Sequence, residues 1–416
     1  MMREAKSSGI AWIGTIPKCW ETDKLKYHLR RNEPRNPGDV VVLSLYRELG
    51  VIPKDSRDDN HNVTSEDTSK YKYVRPGDFV INKMKAWQGS VAVSEYEGIV
   101  SPAYFVYEFT DDTIFKRYFH YLLRSCYKDE FMRLFGGIRV GQWDLPADAL
   151  ENTPILIPPM DEQCRIADFL DTKCAEIDAL TADIQTQIDT LEQYKRSVIT
   201  ETVTKGLNPN AEMKDSGVQW IGNMPAHWDA IRGKYILRYM QKPVREDDGV
   251  ITCFRDGEVT LRSNRREDGF TMSDKEIGYQ GIDVGDLVVH GMDGFAGSIG
   301  ISDSRGKASP VLNVLETDQN KRYIMYYLRS MAYSDVFLAL ATGIRVRSCD
   351  LRWNKLAELS YPVPPLNEQN AIVKHIDSVL SKADAVIADK KAQLATLDEY
   401  KKSLIFEYVT GKKEVI

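Results

Sequence analysis

"PPMDEQCRIADFLD", residues 158–171, opens the stretch that decides the fold, and "PPLNEQNAIVKHID" at 364–377 nearly repeats it. In the first copy, paired prolines close the preceding strand, and Asp161 can cap a helix that begins there. Gly206 and Pro209 then predict the end of that helix. The prediction is a helix of roughly 45 residues, about 65 Å long at ~1.5 Å per residue.

Apolar residues recur every seven positions along both predicted helices, which is typical of a coiled-coil seam. The first helix has them at Leu170, Ile177, Ile184, Leu191 and Val198. The second has Ile376, Ala383, Leu397 and Leu404, interrupted by Lys390, and a companion row at Val373, Leu380, Ile387 and Leu394. Two such stripes in one chain are buried most simply against each other, so we predict an intramolecular coiled coil with antiparallel helices.

The repeat covers essentially the whole chain of 416 residues. "WIGTIPKCW" at 12–20 returns 208 residues later as "WIGNMPAHW" at 220–228. A small deletion then reduces the offset to 206, as Gly137 of "GGIRVGQWDL" and Gly343 of "TGIRVRSCDL" indicate. We therefore predict a tandem duplication of one module.

Each module begins with short β-rich runs separated by Gly, Pro and Asp turns, with one helix-like segment, and ends in the long helix. The predicted fold class is α+β. Two β-rich domains related by pseudo-twofold symmetry are joined by two long helices that form an antiparallel coiled coil. The predicted bounds are 1–160 and 207–366 for the β-rich domains, and 161–206 and 367–416 for the helices.

Composition favours a globular protein of the reduced cytoplasm. Hydrophobic residues make up 43% and charged residues 28%, and no apolar stretch approaches the ~20 residues of a membrane helix. The N-terminus lacks the apolar core of a signal peptide. Six scattered cysteines without a CxxC pair argue against zinc and against a disulfide framework.

The net charge of −6 speaks against nucleic-acid binding, because phosphate contacts come from Lys and Arg. However, residues 161–192 alone contain nine acidic and two basic side chains. The rest of the chain is therefore close to neutral, and total charge does not decide the question.

Motifs for catalysis are absent from the sequence. It contains no GxxxxGK[ST] phosphate loop, no HExxH and no [DNS]PP[YFW] methyltransferase motif, and its six histidines are isolated. We therefore expect a chain that catalyses no reaction, holds no metal and binds no cofactor of its own.

The paired "PP-x-x-EQ" stretches before heptad helices, the two "WIG-x-x-P-x-x-W" motifs and the head-to-tail duplication resemble the specificity subunit of type I restriction–modification enzymes. The resemblance covers the full length. It implies that each β-rich part is a target recognition domain that reads half of a bipartite double-stranded DNA site, and that the helices set the gap between the halves. It also implies two modification (methyltransferase) subunits and restriction (motor and nuclease) subunits as partners, which carry S-adenosylmethionine, ATP and Mg.

Candidate DNA-binding residues come from comparing the two modules. At matched positions some basic residues are shared, which suits phosphate contacts, and other polar residues differ, which suits base readout. The candidates are Arg47, Lys54, Lys83, Lys85, Gln88, Arg139, Arg255, Arg262, His290, Arg345 and Arg347. Drifting surface loops, salt bridges on a strand face and hydrogen bonds that close a turn explain the same residues without DNA.

The tryptophans of the repeated motif, Trp12 and Trp20 with Trp220 and Trp228, bracket a proline with no catalytic side chain between them in either copy. We interpret them as packing residues that clip each β-rich domain onto the helices, beside a partner subunit.

A rival interpretation is a non-catalytic protein–protein scaffold whose two β-rich lobes bind proteins. The acidic pI of 5.7 favours it, and a steep salt dependence of DNA binding would exclude it.

Overall fold

The computed structural model describes residues 3–38, 40–47, 49–56, 64, 67–135, 144–265, 277–340 and 351–415. The chain divides into two compact units. Unit 1 comprises Met1–Ile184 and Ala392–Ile416, and unit 2 comprises Gln185–Lys391. Each unit therefore contains one β-rich domain, the beginning of one long helix and the end of the other.

Unit 1 is built from short strands and short helices that precede a long helix. Its strands are β1 (Ala5–Ser7), β2 (Thr15–Pro17), β3 (Glu21–Lys24), β4 (Leu29–Arg31), β5 (Leu43–Tyr46), β6 (Gly50–Pro53), β7 (Lys72–Val74), β8 (Phe79–Asn82), β9 (Val91–Val93), β10 (Gly98–Val100), β11 (Tyr104–Phe109) and β12 (Pro154–Ile157). Its helices are α1 (Lys116–Cys126), α2 (Lys128–Leu134), α3 (Ala147–Glu151) and the first part of α4 (Met160–Lys205).

A four-stranded antiparallel sheet in the order β4-β11-β8-β9 forms the centre of unit 1. All four residues of β8 are buried, because the sheet is covered on both faces. On one face α1 packs against it, and the rings of Phe79 and Phe119 meet edge to face at 5.1 Å. The α1 side chains Phe119, Leu122 and Leu123 are buried, as the amphipathic pattern of this segment requires.

Unit 2 has the matching elements in the same order. Its strands are β13 (Met213–Asp215), β14 (Asn223–Pro225), β15 (Asp229–Arg232), β16 (Leu237–Met240), β17 (Ile251–Cys253), β18 (Val259–Leu261), β19 (Gln280–Ile282), β20 (Leu287–His290), β21 (Ile299–Ile301), β22 (Gly306–Ala308), β23 (Leu312–Thr317) and β24 (Ser360–Val363). Its helices are α5 (Gly233–Ile236), α6 (Lys321–Tyr333), α7 (Val336–Ala339), α8 (Trp353–Glu358), the start of α9 (Leu366–Val409) and the end of α4.

Strand pairing confirms the tandem duplication. The central sheet of unit 2 has the order β16-β23-β20-β21, the equivalent of the sheet in unit 1. The register is also the same: Tyr107 pairs with Phe79 in unit 1, and Leu315 pairs with Leu287 in unit 2, both 208 residues later. Sequence similarity between the modules therefore reflects one fold used twice.

The two long helices run antiparallel where they pack together, as predicted. In unit 1, Asp178 of α4 forms an ion pair with Lys401 of α9 at 2.6 Å. In unit 2, Lys195 of α4 forms an ion pair with Asp384 of α9, also at 2.6 Å. An early residue of one helix thus meets a late residue of the other in both units, which only antiparallel helices allow.

The predicted seam is buried along both helices. Leu170 and Ile376 are fully buried, and the remaining seam positions are buried or half-buried. Lys390, which interrupts the apolar pattern, is half-buried and donates a hydrogen bond to Gln187 of α4. The helix begins one residue earlier than predicted, at Met160, so that Asp161 lies in the first turn and is not the N-cap.

Leu170→Ala tests the seam. Truncating this fully buried side chain should lower the free energy of unfolding by about 2 to 5 kcal/mol, because it removes apolar contacts and leaves a cavity. Leu180→Ala on the same helix is the matched control, since Leu180 is 47% exposed, and should cost under about 0.5 kcal/mol. Denaturant unfolding measures both, and equal costs would contradict the assigned seam.

Candidate functional site

The second tryptophan of each repeated motif is completely buried against the beginning of a long helix. In unit 1, Nε1 of Trp20 donates a hydrogen bond to Oε2 of Glu162 at 2.9 Å. In unit 2, Nε1 of Trp228 donates to Oε2 of Glu368 at 3.1 Å. In each unit the "WIG-x-x-P-x-x-W" motif therefore contacts the "PP-x-x-EQ" motif, because the tryptophan of the first donates a hydrogen bond to the glutamate of the second. A carboxylate acceptor makes such a bond stronger than a neutral one, most of all at the buried Glu162.

The glutamine that follows each of these glutamates holds the main helix of the same domain. Oε1 of Gln163 accepts from the backbone amide of Phe115 at 2.8 Å, and Nε2 donates to the carbonyl of Thr113 at 2.9 Å. Oε1 of Gln369 accepts from the amide of Asn320 at 2.9 Å. Phe115 and Asn320 are the N-caps of α1 and α6. We call the Trp–Glu–Gln group of each unit the clip (Trp20, Glu162 and Gln163; Trp228, Glu368 and Gln369).

The end of the other long helix is held beside each clip. The hydroxyl of Tyr118 in α1 donates to the carbonyl of Val409 at 3.0 Å, and that of Tyr323 in α6 donates to Val203 at 3.0 Å. These bonds satisfy carbonyls that a helix C-terminus leaves free. Each domain therefore grips the start of one long helix and the end of the other.

Glycine is required where α9 ends against the clip. Gly411 has a φ of +69°, and a Cβ atom added there would lie 2.4 Å from Cδ of Pro17 and 3.0 Å from the ring of Trp20. Any other residue would clash and would be strained. Gly206, with a φ of +75°, ends α4 in the same way beside the ring of Trp228.

The first tryptophans of the motifs, Trp12 and Trp220, are half-buried. The ring of Trp12 meets that of Tyr127 edge to face at 5.8 Å. Nε1 of Trp220 donates to the hydroxyl of Tyr327 at 3.2 Å. These tryptophans pack on the helices of their own domain, in line with a structural role.

The loops after β8 and β20, residues 83–90 and 291–298, have one backbone framework and different side chains; we call them the variable loops. Both contain a short 3-10 turn that ends at a glycine of positive φ, Gly89 at +87° and Gly297 at +97°. Between the shared framework positions, the first loop presents lysines and a glutamine, whereas the second presents an aspartate and glycines.

The residue before each variable loop caps the turn. Oδ1 of Asn82 accepts from the amide of Met84 at 3.0 Å, and Nδ1 of His290 accepts from the amide of Asp293 at 2.9 Å. Burial lowers the pKa of His290 below its usual value, which favours the neutral ring that this acceptor role requires. His290 was a candidate for base readout. In the structure its Nδ1 accepts a backbone hydrogen bond that holds the turn of its own loop.

The structure brings the candidate arginines of the β5–β6 and β17–β18 hairpins to the variable loops. Arg47 is exposed and donates a hydrogen bond to Gln88. Its equivalent, Arg255, forms an ion pair with Asp293 at 3.2 Å. Each unit thus collects an arginine and a polar side chain of the variable loop in one place.

The remaining candidates are distributed more widely. Lys83 forms an ion pair with Asp144 at 3.0 Å, and Lys85 is exposed on the first variable loop. Lys54 donates to Thr64, and Nε of Arg262 donates to Thr252 at 3.3 Å. Three candidates lie outside the described residues: Arg139, Arg345 and Arg347.

The sequence analysis missed the roles of Glu162, Glu368, Tyr118 and Tyr323. The signal was present, because "EQ" follows the proline pair twice and "KRY" occurs at 116–118 and 321–323. A tyrosine on an amphipathic helix is typical of a core position. Nothing in the local sequence indicated that its hydroxyl binds a carbonyl at the end of a long helix.

Two absences hold for the described ranges given above. They contain no group of three or more His, Cys, Asp or Glu side chains that could hold a metal ion. They also contain no helix with the length and apolarity that crossing a membrane requires.

Comparison with known proteins gives concordant matches. Residues 28–190 match the family described as type I restriction modification DNA specificity domain. The chain is 24% identical to the putative type I restriction enzyme MjaX specificity subunit of Methanocaldococcus jannaschii, over 97% of this chain and 96% of the relative. It is 23% identical to the MjaVIII specificity subunit of the same organism, over 96% and 94%.

Two solved structures have the same fold. One, described as "Structural basis underlying complex assembly and conformational transition of the type I R-M system", has a TM-score of 0.67 at 16% identity and covers 96% of this chain and 99% of its own. The HsdS subunit of Thermoanaerobacter tengcongensis has a TM-score of 0.50 at 15% identity, covering 96% and 98%.

Glu162→Ala tests the clip. It leaves the buried indole N–H of Trp20 and the guanidinium of Arg3, whose Nη2 lies 2.7 Å from Oε2 of Glu162, without their acceptor. We expect a loss of about 2 to 4 kcal/mol in the free energy of unfolding. Glu162→Gln, which keeps an acceptor, should recover part of it.

The control for this experiment is Asp161→Ala, because Asp161 is the exposed neighbour and forms a surface ion pair with Arg165 at 3.2 Å. Its cost should be under about 1 kcal/mol. Denaturant unfolding of the full chain measures all three variants. If Glu162→Ala lowered the free energy of unfolding no more than Asp161→Ala does, the clip would not stabilise the unit.

Proposed function

We propose that this chain is a DNA specificity subunit of a type I restriction–modification enzyme, the family to which its matches belong, and that each of its two units reads one half of a bipartite DNA target. The observation that carries the proposal is the contrast between the units. Their sheets, clips and turn caps are equivalent, whereas the polar side chains of the variable loops differ. One framework with two sets of polar groups is what two different half-sites require.

The chemistry of each set fits a division of labour between phosphate and base contacts. Arg47 and Arg255 occupy the same position in both units, and phosphates are the same in every sequence. Lys85 and Gln88 in the first variable loop, against Asp293 in the second, offer different donors and acceptors to base edges. We propose that shared arginines position each domain and that the variable loops discriminate sequence.

The paired long helices act as a ruler between the half-sites in this proposal. The chain itself catalyses nothing and binds no cofactor. It acts in the cytoplasm with two modification subunits and with restriction subunits, and S-adenosylmethionine, ATP and Mg belong to those partners. The extensive burial of the seam supports the ruler, because a stiff helix pair transmits a fixed spacing.

Lys85→Ala tests the variable loop of unit 1. Removing this exposed cation should lower the preference for the target duplex over a duplex changed in one half-site by about 1 to 3 kcal/mol, because Lys85 is assigned to a base edge. Lys6→Ala is the control, since Lys6 is also exposed but lies on β1. Fluorescence anisotropy over a salt series with both duplexes measures the preference, and an unchanged preference in Lys85→Ala would remove Lys85 from base readout.

The same titration distinguishes DNA recognition from a protein-binding scaffold. Wild-type binding that prefers one duplex and weakens steeply with salt supports DNA recognition, because the slope counts neutralised phosphates. Binding without sequence preference or without salt dependence would overturn the proposed function.

Heptad insertions test the ruler. Seven residues added after Gln187 and seven after Gln393 keep the seam in register and lengthen each helix by about 10 Å. We expect the preferred gap between half-sites to grow by about 2 to 3 base pairs at ~3.4 Å each. Methylation mapping after co-expression with the modification subunit measures the gap. The insertion in one helix alone is the control and should abolish methylation, and an unchanged gap in the double insertion contradicts the ruler.

A further inference from the structure

One arginine on the main helix of each domain binds the hairpin that carries a shared arginine. Arg124 in α1 and Arg329 in α6 each lie six residues after the tyrosine of the repeated "KRY" segment. Nη2 of Arg124 donates to the backbone carbonyl of Arg47, in the turn between β5 and β6. Nη2 of Arg329 donates to the backbone carbonyl of Asp256 at 2.6 Å, in the turn between β17 and β18. Asp256 directly follows Arg255, so equivalent turns are held in the same way.

A glycine in each hairpin leaves room for the guanidinium. Gly50, at the start of β6, has a φ of +75°, and a Cβ atom there would lie 3.3 Å from Nη1 of Arg124. Gly257 has a φ of +89°, and a Cβ atom there would lie 2.7 Å from Cζ of Arg329. A larger residue would press on the guanidinium in unit 1 and collide with it in unit 2. Both hairpins are therefore shaped to receive an arginine.

The side chains that flank the two arginines are different. Nη1 of Arg124 lies 3.1 Å from Nε2 of His120. In unit 2, Nε of Arg329 instead donates to the hydroxyl of Tyr333 at 2.9 Å. The bond from the guanidinium to the hairpin is thus present in both units although its surroundings have changed. This difference indicates that the bond to the hairpin, and not the local packing, is what the two units share.

The same two helices are bound to the long helices three residues earlier. The hydroxyl of Tyr121 in α1 donates to Oδ1 of Asp171 in α4 at 2.7 Å. The hydroxyl of Tyr326 in α6 donates to Oδ1 of Asp377 in α9 at 2.6 Å. One turn of α1 or α6 therefore contacts both the long helix and the hairpin. In each unit a short path of hydrogen bonds connects the two.

The bound turn fixes the backbone from which the shared arginine extends. In unit 1 the carbonyl that Arg124 binds belongs to Arg47 itself. In unit 2 the carbonyl of Arg255 lies against the variable loop, because a Cβ atom added at Gly297 would lie 2.7 Å from it. The bond from Arg329 holds the next residue. The backbone of each shared arginine therefore has little freedom to move.

We propose that Arg124 and Arg329 are positioning residues that act on DNA binding through Arg47 and Arg255, by holding each hairpin turn in a fixed place relative to the long helix. The inference rests on the proposed function, in which Arg47 and Arg255 contact phosphates. Because the long helices set the gap between half-sites in that proposal, each phosphate contact must keep a constant position relative to its helix. A guanidinium suits this task, since it is always charged and its rigid fork offers several donors.

A double-mutant cycle in the full chain tests unit 1. Wild type, Arg47→Ala, Arg124→Ala and the double variant are titrated by fluorescence anisotropy over a salt series, with a duplex that carries the target found by methylation mapping. We expect each single variant to reduce the steepness of log K against log salt by about 0.9, the value for one phosphate contact. The double variant should bind no more weakly than Arg47→Ala, because both changes remove the same contact.

Ethylation interference identifies the phosphate involved. Ethylating one phosphate should inhibit wild type but not Arg47→Ala, and the same phosphate should lose its effect in Arg124→Ala. A general loss of stability would not remove one phosphate selectively. Arg329→Ala and Arg255→Ala form the same cycle in unit 2 and should lose one phosphate of the other half-site. This second cycle decides the question if Arg124→Ala does not fold, as circular dichroism and denaturant unfolding establish.

Arg165→Ala is the matched control, because Arg165 is an exposed arginine of α4 that forms a surface ion pair and removes the same charge. It should leave the salt dependence and the interference pattern unchanged. Additive losses in the double variant, wild-type binding by folded Arg124→Ala, or an equal loss in Arg165→Ala overturns the inference. Wild-type binding by Arg47→Ala contradicts the phosphate role of the shared arginines. A wild-type chain that binds no duplex in a salt-dependent manner overturns the proposed function itself.

Discussion

The hydrogen bond between a buried indole and a glutamate carboxylate is the interaction on which the architecture depends. Trp20 with Glu162, and Trp228 with Glu368, tie the opening motif of each domain to the first turn of a long helix. An isolated helix of this length, with one apolar stripe, has no fixed relation to a β-rich domain. The clip supplies that relation, because the N–H of each fully buried indole must meet its carboxylate acceptor.

Duplication makes the clip more than a local bond. Each domain holds its own helix through Glu and Gln and the end of the other helix through Tyr118 or Tyr323. Neither module is complete alone, because unit 1 needs the last residues of the chain and unit 2 needs the last residues of α4. The framework residues are therefore constrained in both copies, whereas the variable loops are not.

Sequence periodicity predicted the parts of the fold that depend on regular repetition. The seven-residue pattern predicted the helix pair and its seam, and the 208-residue offset predicted the duplication. The bounds of the first helix were correct to one residue, whereas the second helix ends at Val409, seven residues before the predicted end at 416. The sheet order was not predictable, since strands of three or four residues carry too little alternation to specify a partner. The link from Trp20 to Glu162 joins residues 142 positions apart, which no local pattern reveals.

For the candidate site, sequence comparison found the variable loops but not the orientation of each side chain. His290 was a candidate for base readout, yet it caps the turn of its loop as the equivalent Asn82 does in unit 1. Asn and His are chemically different, but each offers one acceptor at a similar reach, so the substitution preserves the turn. A polar difference between repeats indicates specificity only where the side chain is exposed, as it is for Lys85.

The acidic charge of the chain has a structural explanation that leaves room for DNA binding. Asp178 and Asp384 pair with lysines of the opposite helix. Asp171 and Asp377 accept hydrogen bonds from tyrosines of the recognition domains. Much of the negative charge thus holds helices and domains together, close to its own partners. Because the acidic helix still repels phosphate, the proposed function requires DNA to lie against the β-rich domains and not along that helix.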